Sequence, residues 1–175
     1  VAAAQRIAWH MPGVQFLVPR APGVPVQAFA SLQRPRGALE VIVTDNRMTE
    51  CLSVMDAAVV ASGTATLETA LAEMPMVVIY RTSWPTYLAA KAVVRVPHIA
   101  MANLIAEQRI VPEYVQAGAR PDRIAADVVS LLRDRVRQTQ MKTQLRHLKE
   151  RLGPAGSVER AARVVLEELA LSTKP

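Results

Sequence analysis

The chain has few of the residues that build disulfides and metal clusters. Its 175 residues include one cysteine, Cys51, and three scattered histidines. A single cysteine forms no internal disulfide, and so few soft ligands argue against a zinc site. We therefore expect no metal and no cofactor, and we interpret Cys51 as a small core residue that suits a reducing compartment.

Long apolar runs and aromatic clusters are also lacking. No run reaches eighteen apolar residues and the N-terminus is not signal-like, so the sequence predicts no transmembrane span. The net charge of +6 is moderate and compatible with anionic lipid surfaces or nucleotide phosphates. The basic residues cluster late in the chain, at Arg133, Arg135, Arg137, Lys142, Arg146, Lys149 and Arg151. With almost no aromatics between them, they predict a solvated or lipid-facing surface rather than a nucleic-acid site.

What the chain does contain is an alternation of short apolar segments and helix-like segments. Strands are predicted at 14–18, 39–43, 56–61, 76–80 and 96–100. Helices are predicted at 2–10, 24–33, 48–55, 67–74, 86–94, 112–116, 121–133, 139–152 and 158–171. This alternation is typical of a parallel sheet with helices on both faces, so the fold class is α/β.

The most informative segment is the turn at 61–68, which joins a predicted strand to a predicted helix. Gly63 lets the backbone approach an anion closely, and the first N–H groups of the helix would face a phosphate. Ser62, Thr64 and Thr66 can cap the helix and supply hydroxyls. Glu68 lies one turn into the helix, where a carboxylate could accept from a ribose diol. The pattern by itself is equally compatible with an ordinary capped helix between two core strands.

Other polar residues fall at predicted strand ends, the edge where α/β sheets bind ligands. Arg81 could contact a phosphate or be a solvated strand-end residue. Asn103 follows the predicted strand at 96–100 and could bind a sugar or shape a turn. Glu113, in the first turn of a predicted helix, could accept from a donor hydroxyl or stabilise the helix end.

The order of these segments resembles the donor-sugar half of the lipid-A-disaccharide synthases. The resemblance rests on the residues at 59–68, 75–78, 80–81, 101–106, 111–113 and 157–162, and it runs from about 45 to about 169. It implies a Rossmann-like parallel sheet flanked by helices, one half of a GT-B type glycosyltransferase. Residues 1–133 would form the nucleotide-sugar-binding domain, with its start truncated. Residues 134–175 would be helices that pack on this domain or on an N-terminal domain.

The resemblance also implies an activity. UDP-2,3-diacylglucosamine would be joined to 2,3-diacylglucosamine 1-phosphate to form the β-1,6 disaccharide precursor of lipid A. The enzyme would be cytoplasmic and peripheral on the anionic inner membrane of a Gram-negative bacterium, with a homodimer through the C-terminal helices as a further expectation. We identify no catalytic residue, because the general base of the resembled family lies in the other domain. The isolated chain should therefore be inactive.

The same resemblance assigns residues to the donor site. The substrate-binding set is Ser62, Gly63, Thr64, Ala65, Thr66, Glu68, Arg81, Asn103 and Glu113, with Asn46, Arg47 and Met48 as a base-binding loop.

The sequence departs from the family pattern at three places. Ala102 stands where a proline is usual, and Asn46 where a glycine is common, although asparagine tolerates left-handed backbone geometry. The segment 107–109, Glu-Gln-Arg, replaces a Gly-Arg pair. Two alternatives stay open: another UDP-sugar enzyme of this fold, such as a peptidoglycan glycosyltransferase or an epimerase, and a non-catalytic nucleotide-binding domain.

Overall fold

The computed structural model describes residues 1–33, 39–93, 96–153 and 156–172. Parallel strands alternate with helices along the chain, which confirms the α/β class. The strands are β1 (Gln15–Arg20), β2 (Glu40–Asp45), β3 (Ala58–Ala61), β4 (Met76–Tyr80) and β5 (Glu113–Val115). The helices are α1 (Ala2–His10), α2 (Ala30–Gln33), α3 (Met48–Val54), α4 (Thr64–Leu71), α5 (Trp84–Val93), α6 (Met101–Ala106), α7 (Pro121–Arg133), α8 (Arg135–Leu152) and α9 (Ser157–Ser172).

The strands form two parallel sheets among the described residues. β1 pairs with β2, while β4 lies between β3 and β5 in the second sheet. The described strands therefore do not form the single sheet with one shared ligand edge that the sequence predicts. Val14 and Phe16 nevertheless pack against the core of the second sheet, so β1 is attached to it by side chains rather than by backbone hydrogen bonds.

The core lies around β4, as its continuous apolar sequence predicts. Met76, Val77 and Val78 are at most 1% exposed. Helix α8 contributes Leu145 and Leu148, together with Met141, at the spacing that places them on one helix face. The first of the C-terminal helices thus packs on the α/β core, whereas the division of the chain at residue 133 stays a prediction. None of the described helices is long and apolar enough to cross a bilayer.

Two predicted elements are wrong. Residues 96–100 form no strand, and the segment predicted as a helix at 112–116 is β5 followed by a 3-10 turn, Gln116–Gly118. Pro97 lacks the N–H that a ladder would need. The three residues of β5 have little local signal, and they become a strand because the end of β4 offers a partner edge.

Candidate functional site

The turn between β3 and α4 has a backbone that requires glycine. Gly63 immediately precedes α4 with φ 153° and ψ −162°, a region that side-chain-bearing residues avoid. The N–H of Ser62 donates to the carbonyl of Ile79 at 2.8 Å, which ties the turn to β4. The strand, glycine turn and helix predicted from the sequence are therefore all present, and α4 begins at the carboxyl edge of the sheet.

The predicted capping by hydroxyl groups is wrong. No side chain caps the N-terminus of α4. Ser62 Oγ instead donates to the carbonyl of Ile99 at 3.0 Å, and the buried Thr66 Oγ1 donates back to the carbonyl of Ala61 at 3.2 Å. These hydroxyls fix the turn from within. The N–H of Thr66 donates to the carbonyl of Gly63 at 3.0 Å. The N–H groups of Thr64 and Ala65, at the start of α4, are left without a side-chain acceptor among the described residues.

The remaining predicted residues of this segment divide into inward and outward positions. Thr64 and Glu68 are exposed, while Ala65 packs against the core, so only its backbone can face a ligand. Arg81 follows β4 directly, is exposed, and forms no ion pair within the described part of the chain. The exposed side chains of Glu68 and Arg81 thus lie after adjacent strands of one sheet.

Asn103 does not lie at a strand end. It belongs to α6 and is fully buried. Its Oδ1 accepts from the N–H groups of Ile110 and Val111, both at 2.9 Å, and its Nδ2 donates to the carbonyl of Val111 at 3.0 Å. The amide therefore holds the chain that enters β5, and the expected sugar-facing position is wrong for this structure.

Glu113 is the first residue of β5 and not a helix residue. Its carboxylate accepts from the N–H groups of Ile99 at 3.0 Å and Ala100 at 2.8 Å, and it lies 3.0 Å from Nδ1 of His98. Burial works to raise the pKa of Glu113, but the bond from Ala100, together with those from His98 and Ile99, outweighs it and holds this pKa below its ordinary value. Because Ile99 also accepts from Ser62, Glu113 supports the glycine turn through one intervening loop.

The loop predicted to bind the base has the backbone that its sequence implied. Asn46 adopts φ 49°, which confirms that asparagine takes the left-handed geometry there. Arg47 is exposed and immediately precedes α3, and Met48, the first residue of α3, is half-buried. Across the last pair of the β1–β2 ladder, Arg20 Nε donates to Asp45 Oδ1 at 2.7 Å, and this bond holds the pKa of Asp45 below its ordinary value. No ladder joins this loop to the glycine turn in the described chain.

Sequence reasoning missed Gln116. This residue follows β5, is 8% exposed, and adopts φ 48°. Its side-chain amide makes two hydrogen bonds with the backbone of Thr82, next to Arg81. A single glutamine at the end of a segment predicted as a helix, 112–116, carries no sequence signal for this contact.

A polar concavity beside β5 lies outside this set of residues. Asp127 accepts from the hydroxyl of Tyr114 at 2.8 Å and from Arg137 at 2.9 Å within it. Within the described ranges, no three His, Cys, Asp or Glu residues come together as a metal site would need. That the reaction uses no metal stays a prediction.

Comparison with known proteins connects this geometry to a family. Residues 1–166 match the sequence model of a family described as Lipid-A-disaccharide synthetase. The chain belongs to this family. The match confirms the resemblance drawn from the sequence and favours it over the peptidoglycan and epimerase alternatives.

Three curated relatives, each described as a lipid-A-disaccharide synthase, show how far the similarity extends. That of Anaeromyxobacter sp. (strain K) is 40% identical over 164 residues, covering 94% of this chain and 43% of the relative. That of Geobacter sulfurreducens is 40% identical over 167 residues, covering 95% and 43%. That of Myxococcus xanthus is 38% identical over 169 residues, covering 97% and 44%. The chain therefore spans less than half the length of these relatives.

Proposed function

We propose that this chain is the donor-binding half of a lipid-A-disaccharide synthase. The full enzyme would join UDP-2,3-diacylglucosamine to 2,3-diacylglucosamine 1-phosphate, giving the β-1,6 disaccharide and UDP. The observation that carries the proposal is the Gly63 turn at the carboxyl end of β3, which leaves the N–H groups of Thr64 and Ala65 open to an anion in a chain of this family.

The diphosphate of the donor would lie on the N–H groups at the start of α4, near Gly63, Thr64 and Ala65. When the bond between the anomeric carbon and the β-phosphate oxygen breaks, UDP leaves with the electron pair and negative charge grows on that oxygen. Helix N–H groups stabilise such a charge without reorganising, and the exposed guanidinium of Arg81 adds a charge-assisted contact.

The nucleoside would be held by two exposed groups. Glu68, one turn into α4, accepts from the ribose hydroxyls in this proposal. The loop Asn46, Arg47 and Met48 contacts the uracil, and its support is the left-handed backbone of Asn46 together with the exposure of Asn46 and Arg47. Glu113 acts indirectly, by holding the loop that anchors Ser62.

The acceptor hydroxyl needs a general base, and we assign it to the other half of the enzyme. Asp45 is the carboxylate at the end of β2, but its bond to Arg20 lowers its pKa and makes it a weak base. The isolated chain should therefore bind donor without transferring sugar.

Contact with an anionic membrane, on its cytoplasmic face, is the second part of the proposal. Trp84 and Leu88 are each 59% exposed, and the exposed Lys91 continues their helix face at the i, i+4, i+7 spacing. An indole beside a cation suits the headgroup region of a bilayer.

A homodimer through the C-terminal helices is also proposed. Its support is a set of apolar side chains on α9 that are more than half exposed, namely Val164, Val165, Leu166 and Leu169. Apolar surface of this kind favours association.

To test the proposal, disaccharide synthesis and UDP binding are measured for the full-length protein in excess EDTA. We expect turnover to persist in EDTA, and the chain 1–175 alone to bind UDP without turnover. Product from the isolated chain would contradict the placement of the base, and loss of activity in EDTA would contradict the metal-free reaction. A full-length protein that binds UDP but makes no product would favour the non-catalytic alternative.

A further inference from the structure

The ladder between β4 and β5 ends just before the loop that carries Arg81. Its last pair is Tyr80 with Val115. The next pair in this register would be Arg81 with Gln116. The backbone of Gln116 has instead turned to φ 48° and begins a 3-10 turn, so it is no longer extended for pairing.

The side chain of Gln116 supplies the hydrogen bonds that its backbone cannot. Oε1 accepts from the N–H of Thr82 and Nε2 donates to the carbonyl of Thr82, both at 2.9 Å. A carboxamide has the same donor and acceptor as a peptide group. The Gln116 side chain therefore continues the hydrogen bonding between β4 and β5 by one residue, to Thr82. With Gln116 only 8% exposed, these bonds are shielded from water.

The residue after Thr82, Ser83, is bonded to the first turn of α5. Ser83 Oγ lies 2.7 Å from Oγ1 of Thr86 and accepts from the Thr86 N–H at 3.3 Å. The backbone of Arg81 is thus fixed between the β4 ladder at Tyr80 and the Gln116 contact at Thr82. Its guanidinium stays exposed and without an ion pair in the described chain.

We propose that Gln116 is a positioning residue that directs Arg81 toward the diphosphate of the donor. The inference rests on the proposed function, since it takes Arg81 as a phosphate ligand. Gln116 itself touches no substrate. Its effect comes from fixing the Arg81 backbone before the donor arrives, which reduces the ordering cost of binding.

The test uses the full-length protein with Gln116→Gly and Gln116→Asn. Both replacements tolerate the left-handed backbone, but glycine removes the amide and asparagine is one methylene too short to reach Thr82. We expect each to weaken UDP binding about tenfold, as two lost hydrogen bonds suggest. Uridine, which has no phosphate, should bind as it does to the wild type.

A double-mutant cycle with Arg81→Ala separates positioning from general stability. In the Arg81→Ala background, the Gln116 changes should weaken UDP binding by less than about twofold. If Gln116→Gly does not fold, the milder Gln116→Asn is used in its place. Faster hydrogen exchange of the Thr82 amide would show that the two hydrogen bonds between Gln116 and Thr82 are lost.

Four results would overturn the inference. Additive losses would show that Gln116 acts through the fold, and equal losses for uridine would show the same. An Arg81→Ala protein with unchanged UDP affinity would remove the group that Gln116 is said to direct, while the UDP site itself would stand. A wild-type protein that binds no UDP would overturn the proposed function and this inference together.

Discussion

Ser62 and Ile99 are joined by a 3.0 Å hydrogen bond from the Ser62 hydroxyl to the Ile99 carbonyl. The hydroxyl proton that could have reached a phosphate is therefore used inside the protein. The same Ile99 donates its N–H to Glu113, so the glycine turn, the loop before α6 and β5 form one connected support. Backbone N–H groups, rather than the serine hydroxyl, are then the donors that the turn offers to an anion.

The first prediction concerns the backbone of Gly63. An added Cβ at this position meets no atom within 4 Å, so Gly63→Ala causes no clash, but φ 153° is unfavourable for alanine. The strain of about 1–3 kcal/mol should distort the turn and weaken UDP binding in calorimetry. Gly118→Ala is the matched control, because Gly118 also has open space but lacks the positive φ. Equal UDP affinity in a folded Gly63→Ala protein would remove the turn from the phosphate site.

Glu68 provides a test that separates ribose from phosphate. Glu68→Gln removes a charged acceptor, and the loss of such a hydrogen bond costs about 1.5–3 kcal/mol. UDP should bind more weakly by that amount, while pyrophosphate, which has no ribose, should bind as before. Glu73→Gln is the control that should leave both ligands unaffected, because Glu73 lies two residues after the far end of α4 and pairs with Arg146 and Lys149. Parallel losses for UDP and pyrophosphate would mean that Glu68 acts through the fold.

The lowered pKa of Glu113 predicts how stability depends on pH. The pKa of Glu113 in the folded protein lies below its ordinary value of 4.5. At pH values between the folded and the unfolded pKa, the folded protein therefore binds fewer protons than the unfolded chain. The carboxylate therefore stabilises the fold above that value, and this stabilisation is lost as the pH falls through the folded pKa. Urea unfolding of Glu113→Gln should show lower stability at neutral pH and a shallower decline below pH 4.5 than the wild type.

The control for this measurement is Glu150→Gln, which changes an exposed carboxylate on α8. If Glu113→Gln and the wild type lose stability in parallel below pH 4.5, the bonds to Ile99 and Ala100 do not set this pH dependence.

Glu107 provides a stability prediction away from the ligand edge. It ends α6 at φ 56°, a conformation that glycine adopts without cost, and its contact with Arg151 is long, at 3.4 Å, and exposed. Glu107→Gly should raise the free energy of unfolding by about 0.5–1 kcal/mol. Glu107→Ala loses the same contact without relieving the backbone, so it should give no gain. Similar values for the two variants in denaturant unfolding would contradict this account.

Some elements follow from local sequence because their signals are strong. The prediction of a strand at 76–80 matches β4, where an apolar run begins directly after Pro75. The prediction of a helix at 121–133 matches α7, whose first residue is Pro121 and whose buried residues follow helical spacing. Prolines and periodicity act within a few residues, so one segment suffices to identify each element.

The predicted positions of Asn103 and Glu113 are wrong because their hydrogen-bond partners are distant or unmarked in the sequence. Asn103 binds backbone groups seven and eight residues later, and Glu113 binds backbone groups thirteen and fourteen residues earlier. Nearly every residue carries the same backbone N–H and C=O groups, so the residue types in the sequence do not predict which backbone group a side chain will bind. The side chains of both residues bond to backbone groups inside the protein.

The sequence by itself determined the strand, glycine turn and helix at Gly63, the α/β class and the family, because these depend on residue types at short spacing. Tertiary structure alone decided that residues 113–115 form a strand and that Gln116 reaches Thr82. A strand of three residues exists only while a neighbouring edge satisfies its backbone, and a side-chain clamp exists only where the fold brings its partner within hydrogen-bonding distance.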